Sequence, residues 1–411
     1  MLVHQPHLHR AVISVFFAAG SLYESQRDNG LSHLVEHMVF RGSDRYPTSR
    51  ELNFAIEELG GTFEAATAPD ATEFSVDLPE KTATEGIGIL AELVTRPRFR
   101  DIEVERRIVA EEIREDLDEH GNLIDIDALS RRRLWPGHPL GRSVTGPLEN
   151  ALRFDADDLR RHLARLYVAS NAVICASGSF DPDLALEAMV SSFAALPRGE
   201  RPAAPPSPAL GRGPSYLHVH KPGSQTRVRL AFHAPGLRDS DNTALEVLLR
   251  LLDDGMSTPL HRRVFEERGL AYSVGAAAEQ YADAGSLDIE AACSHENVPE
   301  LVAELLDTVR CIRDRETSSG ALDKARRRAV WSLESYQDDP QAMNVHYGER
   351  ELIQPARALH EEARALEDVK IEDVMRVAHR VLRRESLHAT TVGSLDDDQR
   401  KAVERSVKGF E

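Results

Sequence analysis

Cysteine is scarce in this chain, with Cys175, Cys293 and Cys311 the only three in 411 residues. An odd count without metal-type spacing excludes a disulfide scaffold and fits a reducing compartment. Long apolar runs are missing as well. None approaches the roughly 18 residues that a membrane-spanning helix needs. Positive charge is in deficit, 50 Lys and Arg against 68 Asp and Glu, for a net charge of −18. Such a chain has little with which to neutralise a phosphate backbone, so nucleic acid is excluded as a partner. The acidity suits a protein that admits basic or neutral peptides. What remains is ordinary globular composition, 41% hydrophobic and 29% charged, in a length that predicts two to three domains. One apolar segment, Ala11–Ala19 behind a histidine-rich start and Arg10, imitates an export signal. It also reads as a buried strand leading to Gly20.

The stretch Gly30-Leu31-Ser32-His33-Leu34-Val35-Glu36-His37-Met38-Val39-Phe40 organises the rest. Leu31, Leu34, Val35, Met38 and Val39 have the spacing of a helix with one buried face. His33 and His37 are one turn apart, so both imidazoles can share one ion. Glu36 precedes the second histidine, giving the order His-x-x-Glu-His of a zinc peptidase helix. A catalytic zinc takes three protein ligands and keeps a position for water, whose pKa falls to about 7. Glu36 is placed to take that water's proton and pass it to the leaving amine. A third ligand must come from elsewhere. Glu105 and Glu112 are seven residues apart on an acidic helix and share a face. Glu112 is assigned as the ligand and Glu105 as a carboxylate that orients the histidines.

These residues resemble the M16 metallopeptidases, the family of pitrilysin and mitochondrial processing peptidase. The resemblance rests on His33-Leu34-Val35-Glu36-His37-Met38, on Gly42-Ser43, and on Glu105 and Glu112, with 75 residues between His37 and Glu112. It implies an α+β fold of two similar domains, each a mainly antiparallel sheet packed with helices, together forming half of a clamshell. It implies zinc as cofactor and a strand at residues 11–19, which cleavage would remove just before the zinc helix. The chain is therefore read as cytoplasmic. The family places an Asn-Ala-x-Thr strand beside the zinc to pair with substrate backbone. Here the text is Glu64-Ala65-Ala66-Thr67, so Glu64 and Ala65 take the substrate-binding positions. Glutamate in place of asparagine favours a positively charged group near the cleaved bond or points to solvent.

Beyond the zinc helix, Thr48-Ser49-Arg50-Glu51 predicts a capping box, and its helix carries Leu52, Ile56 and Leu59 up to Gly60-Gly61. Strands are expected over 62–66 and 73–78, helices over 81–95 and 102–119. His138, in a Pro/Gly loop, reads as structural. A helix runs from Asp155 to Leu166, a strand over 171–177, and a further helix over 182–196. Six prolines mark 197–215 as a linker between domains at 1–196 and 216–411. The second half repeats the order of the first, with a strand over 227–233, a helix over 242–252 without ligands, strands over 272–276 and 287–292, and helices over 297–312 and 319–335. The tail is read as helical from Gln341 through Arg384 with a turn near Gln354-Pro355, then a strand over 387–392 and a frayed helix. His4, His7 and His9 are read as a flexible polar start.

Arg268-Gly269-Leu270-Ala271-Tyr272 also resembles the family, whose self-sufficient members carry an arginine seven residues before that tyrosine. The pair binds substrate carbonyls. Tyr272 is present here, but Phe265 stands where the arginine would be, and a phenyl ring cannot replace a fork of donors. In heterodimeric short members one subunit supplies zinc and the other the Arg/Tyr pair. The resemblance thus implies the zinc-bearing endopeptidase subunit of a hetero-oligomer, partnered by a zinc-less homologue, with a homodimer as the other arrangement. Its substrates would be short or unfolded peptides, leader peptides among them. The alternative is a non-catalytic scaffold subunit.

Overall fold

The computed structural model describes residues 1–314 and 317–411. By internal contacts the described chain divides into two compact units. The first comprises Met1–Glu115, Arg142–Pro206 and Ser335–Arg357; the second comprises Asp116–Gly141, Ser207–Glu334 and Ala358–Glu411. The change of unit inside the proline-rich segment falls between Pro206 and Ser207. Each unit also takes one segment from the other half of the sequence, which a simple division at 197–215 does not anticipate.

The sheet of the first unit contains β1 (Leu2–His4), β2 (Arg10–Phe17), β3 (Thr62–Thr67), β4 (Thr72–Pro79) and β5 (Ala172–Gly178), in the order β1-β5-β2-β4-β3. The apolar run at residues 11–19 supplies β2, the middle strand, antiparallel to both β4 and β5. Burial on both faces explains why, past Arg10, only Ser14 interrupts its apolar run. The amino-terminal residues are not a loose start. Leu2, Val3 and His4 pair parallel to Ala176, Ser177 and Gly178.

Helices α1 (Leu31–Val39), α2 (Ser49–Glu58), α3 (Ala83–Thr95), α4 (Ile102–Glu115), α5 (Ile126–Leu134), α6 (Leu148–Arg153), α7 (Ala156–Leu166) and α8 (Pro182–Phe193) follow in chain order. The capping box before α2 is formed, with Thr48 and Glu51 bonded reciprocally. Helix α4 stops at Glu115 rather than 119. The Asp118 carboxylate accepts the backbone N–H of His120 and Asn122, folding a turn that needs Gly121 at φ +80°. Apart from such end shifts, the expected elements of this half are present.

The two faces of the first sheet are chemically distinct. Ile13, Val15, Phe74, Val76 and Leu78 are buried on one, and Leu78 packs against Gly86 of α3. The other carries Ser14, Glu73 and Ser75, yet it is covered rather than wet. The covering helix, α13 (Pro340–Ile353), comes from the far half of the sequence. Asn344 is fully buried, donating to Val12 O at 2.8 Å and accepting from Ser177 Oγ at 2.6 Å. Gly348 lets the helix approach closely, since a Cβ there would lie 2.1 Å from the Phe16 ring. Buried polar strand residues are thereby satisfied by polar helix residues.

The second unit repeats this plan with β6 (Ser215–His220), β7 (Thr226–Ala234), β8 (Ser273–Gln280), β9 (Gly285–Cys293) and β10 (Leu387–Gly393), ordered β6-β10-β7-β9-β8. Its helices are α9 (Asn242–Leu252), α10 (Pro259–His261), α11 (Val298–Asp314), α12 (Ser319–Glu334), α14 (Leu359–Glu367), α15 (Ile371–Val381) and α16 (Asp397–Lys408). The tail is thus broken into α13, α14 and α15, with a second interruption before Ile371 that the sequence reading missed. Nor is the last helix frayed: Asp396 caps it and Phe410 is buried behind it. The polar face of this sheet is covered by α5, again from the other half. Arg229 of β7 pairs with Asp127 of α5, and with Asp288 at 3.4 Å and Glu290 at 2.8 Å on β9.

Asp288 is almost fully buried, and burial pushes its carboxyl up to about 6 although Arg229 pulls it down. A raised pKa means the folded chain holds a proton that the unfolded chain releases near pH 4. Stability from this group should therefore fall as pH rises from about 4 through about 6, by on the order of 2 to 3 kcal/mol. Asp288→Asn should flatten that slope in urea melts taken across pH 4 to 7.

Candidate metal centre

Helix α1 begins without an ordinary side-chain cap. Its N-cap, Gly30, has φ +103°, and a Cβ there would lie 2.5 Å from Thr145 O, so the position needs glycine on both counts. Glu24 supplies what is missing. Its buried carboxylate accepts the backbone N–H of Gly30 at 2.8 Å and of Ser32 at 2.7 Å, and Asn29 Nδ2 at 3.2 Å. Burial raises its pKa, while these donors and the positive end of the helix favour the anion. Leu34, Val35, Met38 and Val39 are buried completely. This anchoring fixes the direction in which His33 and His37 project.

The two imidazoles lie with ring centroids 4.7 Å apart. Across from them α4 presents both of its glutamates. His33 Nε2 is 3.4 Å from Glu112 Oε1, and His37 Nε2 is 3.6 Å from Glu112 Oε2. One donor atom from each of the three residues falls within 4.8 Å of the others. A tetrahedral ion with bonds of 2.0–2.1 Å has ligand–ligand edges of about 3.3 Å. The spacing and the donor set, two imidazole nitrogens and one carboxylate oxygen, therefore fit a zinc ion. Among the described residues this is the one such cluster of three or more.

Glu105 lies beside the cluster on the far side of His37. His37 Nδ1 donates to Glu105 Oε2 at 3.1 Å, and Arg41 forms an ion pair with the other oxygen. This bond turns His37 Nε2, with its lone pair, toward Glu112. Burial alone would lower the pKa of His37, but the Glu105 bond and the charges of Glu36, Glu105 and Glu112 raise it. Burial raises Glu105, yet His37 and Arg41 leave it below the usual range. Glu112 is lowered chiefly by its bond to His33.

Glu36, one residue before His37, is held by a contact that sequence reasoning did not assign. Thr67 Oγ1 donates to Glu36 Oε2 at 2.5 Å. Phe63, Ala65 and Thr67 alternate onto the α1 side of β3, with the Phe63 ring 6.1 Å from Phe40. Glu64 therefore points to the opposite face. It is paired across the ladder with Ser75, and its charge raises the pKa of Glu73. The signal was legible, since a period of two separates Glu64 from Thr67. Only the contact itself shows which residues face α1. Thr67→Val, which keeps shape and removes the donor, should lower kcat/KM by roughly tenfold, about 1 to 1.5 kcal/mol, in a peptide hydrolysis assay.

Glu36, Phe40, Asn53, Phe63, Glu64 and Ala65 are among the residues lining a cavity of about 600 Å³ beside β3. Tyr272 belongs to the second unit, where it is 62% exposed just before β8, and Phe265 is 42% exposed. Phe265 sits in a π-helical turn, Arg262–Glu266. The neighbouring arginines are engaged: Arg262 with Glu267, Arg263 with Glu304 and Asp307, and Arg268 with Glu300 and Glu304. His138 is structural in role, its Nδ1 accepting the Leu140 N–H at 3.3 Å.

The insulinase (peptidase family M16) family model matches residues 1–148, and the peptidase M16 inactive domain model matches residues 153–329. An uncharacterized zinc protease of Mycobacterium tuberculosis is 31% identical over 393 residues, spanning 92% of this chain and 87% of the relative. The chain belongs to the M16 peptidase family. A probable mitochondrial-processing peptidase subunit beta of Arabidopsis thaliana is 25% identical, over 94% of this M16 chain and 75% of that protein. The fold is shared with a crystal structure from Pseudomonas fluorescens titled peptidase M16 inactive domain. That match has a TM-score of 0.87 at 21% identity and covers 96% of this chain and 95% of the other. Two similar halves, each a five-stranded sheet packed with helices, are thus the family architecture. Among the described residues no helix is long and apolar enough to cross a membrane.

Proposed function

We propose that this M16 chain is a zinc-dependent endopeptidase with His33, His37 and Glu112 as metal ligands and Glu36 as general acid/base. The observation that carries this reading is the convergence of three donor atoms from two helices on one point, beside a carboxylate held by Thr67. Zinc there would lower the pKa of water to about 7 and polarise the scissile carbonyl. Glu36 takes the proton of the attacking water on its carboxylate and delivers it to the leaving nitrogen. Thr67 holds one oxygen of Glu36 and leaves the other for that proton. Glu105 keeps His37 in the required tautomer.

Strand β3 ends the sheet, so one side of its backbone is unpaired. An extended substrate adds there as a further strand, its main chain bonded near Ala65, which gives affinity with modest selectivity. This mode requires short or unfolded peptides; leader peptides qualify. Glu64, on the far face of β3, is positioned to influence charge around the bound peptide rather than the reacting bond.

We also propose a zinc-less homologous subunit as partner. Phe265 and the acid-engaged Arg262, Arg263 and Arg268 support this, since among the described residues none of these three neighbouring arginines is left unpaired to act with Tyr272. The test is zinc content and peptide hydrolysis of the purified chain, alone and mixed with a homologue that carries the Arg/Tyr pair. Stoichiometric zinc with activity that rises strongly on mixing is expected. Full activity alone would remove the partner but keep the peptidase; absence of zinc would remove both.

A further inference from the structure

A second cavity, of about 520 Å³, lies on the first unit and shares no lining residue with the one at Glu36. Its charged lining is of one sign: Arg96, Arg98, Arg100 and Arg160, with no Asp or Glu. In a chain of net charge −18 this is an island of positive potential. Two of the four arginines are neutralised from outside, Arg98 by Asp44 at 2.8 Å and Arg160 by Asp157 at 2.6 Å. Arg96 and Arg100 have no ion pair or side-chain hydrogen bond among the described residues, which leaves two guanidinium forks over one hollow. The rest of the lining is largely apolar and includes Phe99 and Leu163. The volume lies within the usual range for small-molecule sites, roughly 300–1,000 Å³.

We infer that this cavity binds a small organic anion, an oxyanion head on an apolar body. Guanidinium presents paired N–H donors that match the oxygens of a phosphate or carboxylate, whereas water satisfies them without geometric preference. The Arg96 and Arg100 forks hold the head, and Phe99 and Leu163 take the body out of water. The Arg96 and Arg100 side chains are not set there for the fold, since both residues are exposed and, among the described residues, their guanidinium groups bond to nothing in it. No carboxylate of the metal centre takes part.

Calorimetric titration of the full, zinc-loaded chain with phenyl phosphate, and separately with inorganic phosphate, tests this. Saturable binding of phenyl phosphate is expected, tighter than that of inorganic phosphate and weaker at high salt. Arg96→Ala/Arg100→Ala should weaken it by tenfold or more with an unchanged melting temperature. Arg96→Lys/Arg100→Lys, which keeps the charge, should fall between the two and serves as the folded control. Equal affinity in wild type and both variants would overturn the site. Equal binding of phenyl and inorganic phosphate would overturn its apolar half, and failure to saturate in the millimolar range would overturn the whole.

Discussion

Glu36→Gln should leave one zinc per chain and lower peptide hydrolysis by about 10²- to 10⁴-fold, the usual worth of a positioned general acid/base. The amide is nearly isosteric and still accepts the Thr67 hydroxyl, so the local packing of α1 against β3 is retained. What it loses is the capacity to take a proton at the free oxygen. Glu36 is not among the three converging donors, whose atoms belong to His33, His37 and Glu112. Metal content measured by atomic absorption should therefore equal that of the unaltered chain. A Glu36→Gln chain that hydrolyses peptide normally would remove the glutamate from the chemistry. One that lost its zinc would make Glu36 a ligand instead.

Glu112→Ala should abolish stoichiometric zinc and, with it, all metal-dependent hydrolysis. The contrast with Glu105 makes the test specific. Both carboxylates face α1 from the same helix, but Glu105 contacts His37 through Nδ1 and is tied to Arg41, whereas Glu112 faces both Nε2 atoms. Loss of an outer partner costs roughly 10- to 100-fold in metal affinity. Glu105→Gln should fall in that range and retain zinc at micromolar supply, while Glu112→Ala should not. Equilibrium dialysis against a zinc buffer separates the two. The Glu112 side chain is 44% exposed, so its truncation leaves no core cavity and the melting temperature of the metal-free protein should hardly move. The reverse ranking would mean that the two glutamates had been assigned the wrong way round.

Much of this centre was legible locally. Helical periodicity alone places His33, Glu36 and His37 on one turn, because three and four residues span nearly one revolution. The same arithmetic puts Glu105 and Glu112 on one face of α4. Strands β2 and β7, the capping box of α2 and the repeated order of elements follow from patterns of two and 3.6 residues. Those patterns operate within a segment, and the errors fell at segment ends and near the two termini, where β1 and the last helix are ordered by distant partners. Helix α4 stops early because Asp118 offers its backbone a competing turn, and the tail breaks once more than its composition suggests.

Other features depend on contacts that no local pattern encodes. The Glu24 cap on α1 joins residues six and eight apart through a loop of irregular course, and Thr67 reaches Glu36 across 31 positions. The face of β3 turned toward α1 was an even chance until that contact fixed it, which is why Glu64 falls away from the metal helix. Likewise no local pattern shows that the polar faces of both sheets are covered. They are covered because α5 and α13 each join the unit opposite to their own half of the sequence.

The sequence by itself determined the M16 resemblance, the imidazole and carboxylate donor types offered as zinc ligands and the pairs that lie within one helical turn or two. Local hydrogen bonding and hydrophobic periodicity act over a few residues, so they can be read from neighbours along the chain. Only the tertiary structure decided that Thr67 holds Glu36 and that α5 and α13 change units. Those outcomes come from packing between segments tens to hundreds of residues apart, where burial and the satisfaction of buried polar groups select one arrangement among many that the local patterns allow.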